Sequence, residues 1–333
     1  MSQNSRPSAL RRRNAALVLR LLYNGSREGV TVPELVRKSG LTPMTVHAIL
    51  DQLEADRQIG RGPLLPSGGG RPAQSYCFAP GCAHTAVLYA RCAERGAQLF
   101  LRVADLDGKV LWAKEAALPK VDLKSFLPYF DEMLARTPTI RSLGLGLPGS
   151  ESEGVMIYND FPALIGKRVS QFYAQHYGLP LAYENDANAA AVGWAAAHPG
   201  CDTIAYFYFP AEFAPGVGIV CDGQVFRGAR GIAGEIGKLP FGINWPQMPQ
   251  AAPEELCAAY ARVVSTVCAV VDPARAVLAG PLLRPSLLPE LRRQCTLYLL
   301  SAPQLELAED FSLDFETGII ADALLPLHQM IFE

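Results

Sequence analysis

Tyr183–Trp194 reads YENDANAAAVGW, and Pro215–Gly237, about twenty residues on, reads PGVGIVCDGQVFRGARGIAGEIG. The first block places Glu184, Asn185, Asp186 and Asn188 at the head of an alanine-rich helix. The second adds Glu235 on a glycine-punctuated strand, turn and helix start. Carboxylates beside amides suit a polyhydroxylated ligand, because each hydroxyl offers a donor and acceptors that such a site satisfies in pairs. Asn185 and Asp186 also suit a plain helix start, where either side chain would cap free amides. Asn159 and Asp160 follow an extended run at 155–158, and Lys238 follows GEIG directly.

These residues need a scaffold, and the chain supplies two unlike parts. Residues 1–80 carry eleven Lys and Arg against five Asp and Glu, a balance of +6 within a total of −2 that leaves −8 for the rest. A basic module joined to an acidic body suggests that the first part meets a polyanion. Residues 14–60 read as three short helices. Leu17 and Leu21, and Val18 and Leu22, fall one turn apart, and Gly25 closes the first helix. Thr31-Val-Pro-Glu34 has capping-box spacing with proline in the first turn, and Gly40 stops that helix. Thr42 caps the third helix, where Val46, Ile49, Leu50 and Leu53 form one apolar stripe. This is helix-turn-helix spacing, and it leaves Thr42, Met44, Thr45 and His47 near the exposed start of a recognition helix. Residues 59–78 read as a strand, a glycine-proline loop and a return strand, which would make a wing. Arg71, within that loop, is expected to reach the narrow minor groove of an A·T-rich step.

From about residue 85 the pattern becomes α/β. Apolar strands are expected at 86–89, 97–104, 110–113 and 143–147, with a turn at 105–108 and a helix at 123–135. Pro148-Gly149 ends a buried strand, a place where ligands often sit at the carboxyl edge of a sheet. Further helices are expected at 253–271 and 317–331, with a strand and turn at 277–282.

The ENDAN and GEIG blocks, with the weaker GLGLPG at 144–149, resemble the ROK family of sugar kinases and sugar-responsive repressors. The resemblance covers about 85–333, and Gly69–Pro72 resembles the linker after the winged helix-turn-helix of ROK repressors. It implies a winged helix-turn-helix over 1–80, then a two-lobed, actin-like body over 81–333 whose final helix returns to the first lobe. It also implies a sugar or sugar-phosphate effector held by Asn159 or Asp160, Asn185, Asp186 and Glu235, operator DNA as partner, and a homodimer; Lys238 stands where the family has a histidine, placed either to hydrogen-bond a ligand hydroxyl or to pair with Glu235 and shut the pocket.

Three departures shape the expected activity. ROK kinases share a DxGGT loop between their first two strands, and the matching place here, near Ala93-Glu94-Arg95-Gly96-Ala97, lacks both the aspartate and the threonine. The family's GTG is replaced by Glu212-Phe213-Ala214. Phosphoryl transfer depends on such loops to place the nucleotide, so no nucleotide cofactor and no catalytic residue are expected. Asp186, the base of the kinases, would then only accept a hydrogen bond. The family's GEIGH and CxCGxxGC become GEIGK and an irregular proline-rich stretch at 246–253, so no His/Cys zinc site is expected. A kinase fused to a DNA-binding module, and a degenerate body serving only as a scaffold, remain the alternatives.

Half of the residues are apolar, enough for large cores and more than one domain. No run of about eighteen apolar residues occurs, and the first residues lack a signal-peptide core, which points to a cytoplasmic protein. The eight cysteines are scattered without a CxxC pair and read as reduced core residues.

Overall fold

The computed structural model describes residues 6–66, 72–211, 213–301 and 303–332. The N-terminal segment forms helix α1 (Arg6–Tyr23), strand β1 (Val30–Thr31), helices α2 (Val32–Ser39) and α3 (Pro43–Ala55), and strands β2 (Ile59–Leu65) and β3 (Ala73–Phe78). β3 pairs antiparallel with both β1 and β2. Val18, Leu22, Leu35, Val46, Leu50 and Ile59 form the core beneath them. Gly40 ends α2 at φ 71°, a left-handed turn that glycine adopts without strain. α3 starts with Pro43 in its first turn, and Thr42 accepts a hydrogen bond from the Thr45 amide. The capping box expected at Thr31–Glu34 does not form: Thr31 is extended, but its side chain makes no cap hydrogen bond. α1 begins at Arg6, so Arg11–Arg13 lie on a helix.

The body begins with the antiparallel strands β4 (His84–Cys92), β5 (Ala97–Asp105) and β6 (Val110–Leu118). Helix α4 (Leu127–Arg136), strand β7 (Ile140–Leu147), the hairpin β8 (Gly149–Ser152) and β9 (Val155–Asn159), helix α5 (Val169–Tyr177) and strand β10 (Leu181–Asn185) follow. β7 joins β4 in parallel and β10 joins β7 in parallel, giving the order β10-β7-β4-β5-β6. Helix α6 (Asp186–Ala197) leads to a second sheet of β11 (Thr203–Tyr208), β12 (Gly216–Cys221), β13 (Gln224–Val225), β14 (Arg275–Ala279) and β15 (Leu305–Leu307). Helices α7 (Pro253–Val271) and α8 (Leu288–Cys295) belong to this half, and α9 (Phe311–Phe332) ends the chain.

α6 and α9 form a layer between the two sheets. One continuous core joins Val87 and Tyr89 of the first sheet, Ala190 and Trp194 of α6, Ile319 and Ala323 of α9, and Ile204 and Tyr206 of the second sheet. The two helices cross at glycines: a Cβ on Gly318 would lie 1.8 Å from the Ala189 carbonyl oxygen, and one on Gly193 2.0 Å from that of Asp314. α9 is further pinned through Glu316, which accepts from Tyr89 Oη and Arg102 Nε, both at 2.7 Å. Its last turn leaves the body. Phe332 is buried in the core of the N-terminal module, 4.8 Å from the Tyr23 ring and 5.6 Å from that of Phe78 between centroids. Among the described residues no helix is long and apolar enough to cross a membrane.

Candidate functional site

β10 ends at Asn185 and α6 begins at Asp186 with no loop between them. That join fixes which side chain caps the helix. Asn185 is extended, and its Oδ1 accepts from the amides of Ala187 at 2.9 Å and Asn188 at 3.3 Å. Its amide nitrogen donates to the Gly149 carbonyl at 3.2 Å, tying the helix start to β8. Since Asn185 is the cap, Asp186 turns towards a cleft between the two sheets, lined also by Ser150, Tyr158, Asp160, Tyr208 and Glu235. The free space there is about 40 Å³, enough for a few waters and too little for a hexose at this lobe spacing.

Three carboxylates converge on the cleft from three segments. Loss of solvent, with Asp160 and Glu235 as like-charged neighbours, pushes the Asp186 carboxyl up to about 7. Burial and the charge of Glu235 raise Asp160 to about 6, against the hydrogen bond that Tyr158 Oη donates to its Oδ1 at 2.8 Å. Glu235 takes the hydroxyl of Ser150. Beneath the cleft Glu184 is buried, accepts from Asn188 Nδ2 at 2.9 Å and pairs with Arg227 of the second half. The arrangement offers two carboxyls that are part-protonated near neutrality, so each can donate or accept to a hydroxyl.

The structure brings Asp160, Asn185, Asp186 and Glu235 together, and it leaves two expected residues outside. Asn159 points away from the cleft: its Oδ1 accepts from the Phe161 amide at 2.8 Å and its Nδ2 faces Met156 Sδ at 3.4 Å. Alternation along a strand explains this, since Tyr158 and Asp160 share one face and Asn159 the other. Lys238 is exposed, its ammonium 5.7 Å from the centroid of the Tyr158 ring. It neither lines the cleft nor pairs with Glu235. Ser150 and Tyr158 were not singled out from sequence, although each adjoins a segment that was: Ser150 follows Pro148-Gly149, and Tyr158 precedes the Asn159-Asp160 pair.

The place of a first phosphate loop is the four-residue turn between β4 and β5. There the Ala93 amide donates to the Gly96 carbonyl at 3.2 Å, so this donor is already used. Phe213 lines the same cavity of about 320 Å³ as Cys92, Ala93, Gly96 and Lys120. Two short 3-10 turns stand at 236–238, at the end of GEIG, and at 245–250, and the helix start expected at Glu235 does not continue. Among the described residues no three His, Cys, Asp or Glu side chains are placed to share a metal ion.

At the other end of the molecule, Thr42 and Thr45 share a hydroxyl contact of 2.9 Å at the head of α3. Met44 is 82% exposed and His47 is exposed beside it. Arg71 lies outside the described residues.

Residues 96–257 match the ROK family. A xylose repressor of Caldicellulosiruptor bescii is 33% identical over 105 residues, covering 29% of this chain and 25% of that one. The chain spans about two fifths or less of the length of the curated relatives it matches. Among solved structures, a ROK family transcriptional regulator, a homologue of the E. coli MLC protein, superposes with a TM-score of 0.68 at 17% identity, covering 97% of this chain and 99% of that chain. A ROK hexokinase from Thermus thermophilus gives 0.59 at 21% identity, covering 74% of this chain and 99% of its own. Residues 96–257 of this chain are thus a ROK family domain.

Proposed function

We propose that this protein is a ROK-type transcriptional regulator, a homodimeric repressor whose N-terminal winged helix-turn-helix (1–80) holds operator DNA and whose body (81–333) senses a sugar or sugar derivative. The observation that carries this reading is the burial of Phe332 in the core of the N-terminal module. The helix packed against the cleft-bearing α6 is thereby also a structural part of the module that carries the exposed head of α3. A ligand that changed the lobe spacing would move α6, hence α9, hence that module. It would weaken DNA binding only by as much as it prefers the moved arrangement. A tenfold to hundredfold preference corresponds to about 1.4–2.8 kcal/mol.

Gel shifts with DNA from upstream of its own reading frame, with and without a panel of sugars and sugar phosphates, test the proposal. A complex that some sugar dissolves is expected; indifference of the complex to every sugar would leave a DNA-binding scaffold. Arg71→Ala is expected to lower operator affinity about tenfold, and raised salt is expected to weaken the complex steeply. Equal affinity of the variant and wild type would remove Arg71 from the interface.

A second reading has one specific support. Asp186 stands where the kinases have their base and titrates near neutrality, as a general base should. The used amide at Ala93 argues against a bound nucleotide. No hexose-dependent release of ADP is expected, and turnover abolished by Asp186→Asn would establish the kinase reading instead.

A further inference from the structure

If the N-terminal module is the DNA reader proposed above, the chemistry of α3 specifies what it reads. Val46, Leu50 and Leu53 face the core, which leaves Pro43, Met44, His47, Ala48 and Asp51 on the outward side. Major-groove readout commonly uses arginine or lysine on guanine, and asparagine or glutamine on adenine. From Thr42 to Leu50 the helix has none of these four. Gln52, the first amide, donates to Asp56 at 2.9 Å. The hydroxyls of Thr42 and Thr45 contact each other, and the Thr42 oxygen also caps the helix.

What remains is apolar. Met44 is an unbranched, adaptable side chain left 82% exposed, and Ala48 stands one turn further along the same face. Water is a poor partner for such a surface, and the thymine C5-methyl is the apolar feature that the major groove presents. The charges fix which end enters. Asp51 and Asp56, towards the C-terminal end, would face phosphates if the helix lay deep along its length, whereas the helix start carries no acidic residue and presents partial positive charge. Arg11, Arg12, Arg13 and Arg37 are exposed elsewhere on the module and can hold the backbone.

We infer that Met44, with Ala48 behind it, is the specificity-determining contact of this module, and that it selects thymine methyl groups in the major groove of each half-site. His47 is the polar side chain beside them at the start of the helix.

Uracil scanning tests this with the full-length protein. An operator duplex is first selected from a random pool, and each thymine is then replaced singly by uracil, which removes the methyl and keeps the pairing. One or two positions per half-site are expected to lose about threefold to fivefold in affinity, the worth of one buried methyl. Met44→Ala should bind more weakly and lose that sensitivity, while Met44→Leu should keep it. Wild-type affinity unchanged at every uracil, or the same uracil effect in Met44→Ala, overturns the inference while leaving DNA binding intact. Failure to select any duplex overturns the regulator reading itself, and this inference with it. Circular dichroism of both variants separates lost contact from lost fold.

Discussion

Asp186→Asn is expected to make the protein more stable, and more so at pH 8 than at pH 5. The Asp186 carboxyl titrates near 7 in the folded state because burial and the neighbouring Asp160 and Glu235 oppose its charge, against about 3.9 in an unfolded chain. A folded group with a raised acid pKa holds its proton more tightly than the unfolded chain does. Its contribution to stability is therefore intact below about pH 4 and is lost progressively as pH rises from there through 7. By pH 8 the accumulated cost is on the order of 2–4 kcal/mol. The asparagine variant carries no such charge, keeps the side-chain outline and can donate to Asp160 or Glu235. Its melting temperature should exceed wild type by about 5 °C at pH 8, with the gap closing towards pH 4. The same change should abolish any response of DNA binding to sugars. A variant no more stable than wild type at pH 8, or a gap that stays flat with pH, would show that Asp186 is not held against its charge. The cost of the ionised form is itself an argument for ligand binding, since natural sequences retain such groups mainly at working sites.

Much of this site was legible in the sequence because it is built locally. ENDAN carries its own cap, a strand end and a helix start in five consecutive residues, and α3 likewise announces itself through Thr42, Pro43 and an apolar stripe. What was not legible depends on register or on distance. Asn159 and Asp160 differ by one position, and the pairing of β8 with β9 shifts between Ser150 and Glu151, so spacing could not tell which of the two faces the cleft. Lys238 follows Glu235 by three residues, yet a 3-10 turn sends its side chain over Tyr158 and out to solvent. α9 starts at Phe311, before the predicted 317, because Asp310 accepts from the amides of Ser312 and Leu313 and so caps an extra turn. The docking of Phe332 beside Tyr23 joins residues some three hundred apart, and no local pattern encodes such a contact. The same holds for the pair of Arg227 with Glu184, which ties the second half of the body to the underside of the cleft.

The coupling proposed between cleft and N-terminal module runs through the crossing of α6 and α9, and Gly318→Ala should disrupt that crossing. Most helix pairs meet through side chains, at interaxial distances of about 8–10 Å. Here the backbones themselves touch: an added Cβ would sit 1.8 Å from the Ala189 oxygen, 2.6 Å from its carbonyl carbon and 3.0 Å from the Gly193 nitrogen. All three are main-chain atoms of α6, so no side chain can rotate away, and the helices must separate by an ångström or more. That separation would also strip contacts between Ala190, Trp194, Ile319 and Ala323 in the shared core. The expected loss is about 3 kcal/mol, at the upper end for overpacking, or roughly 10 °C in melting temperature. Leu325→Ala, on the exposed face of the same helix, should stay within about 0.5 kcal/mol. The variant should also lose coupling in whatever fraction remains folded. α6 carries Asp186 at one end and α9 carries Phe332 at the other, so once the glycines no longer touch, a change in lobe spacing should reach the N-terminal module less directly. Normal stability for Gly318→Ala would mean that the helices do not approach this closely, and normal stability with normal sugar response would mean that the signal travels another way.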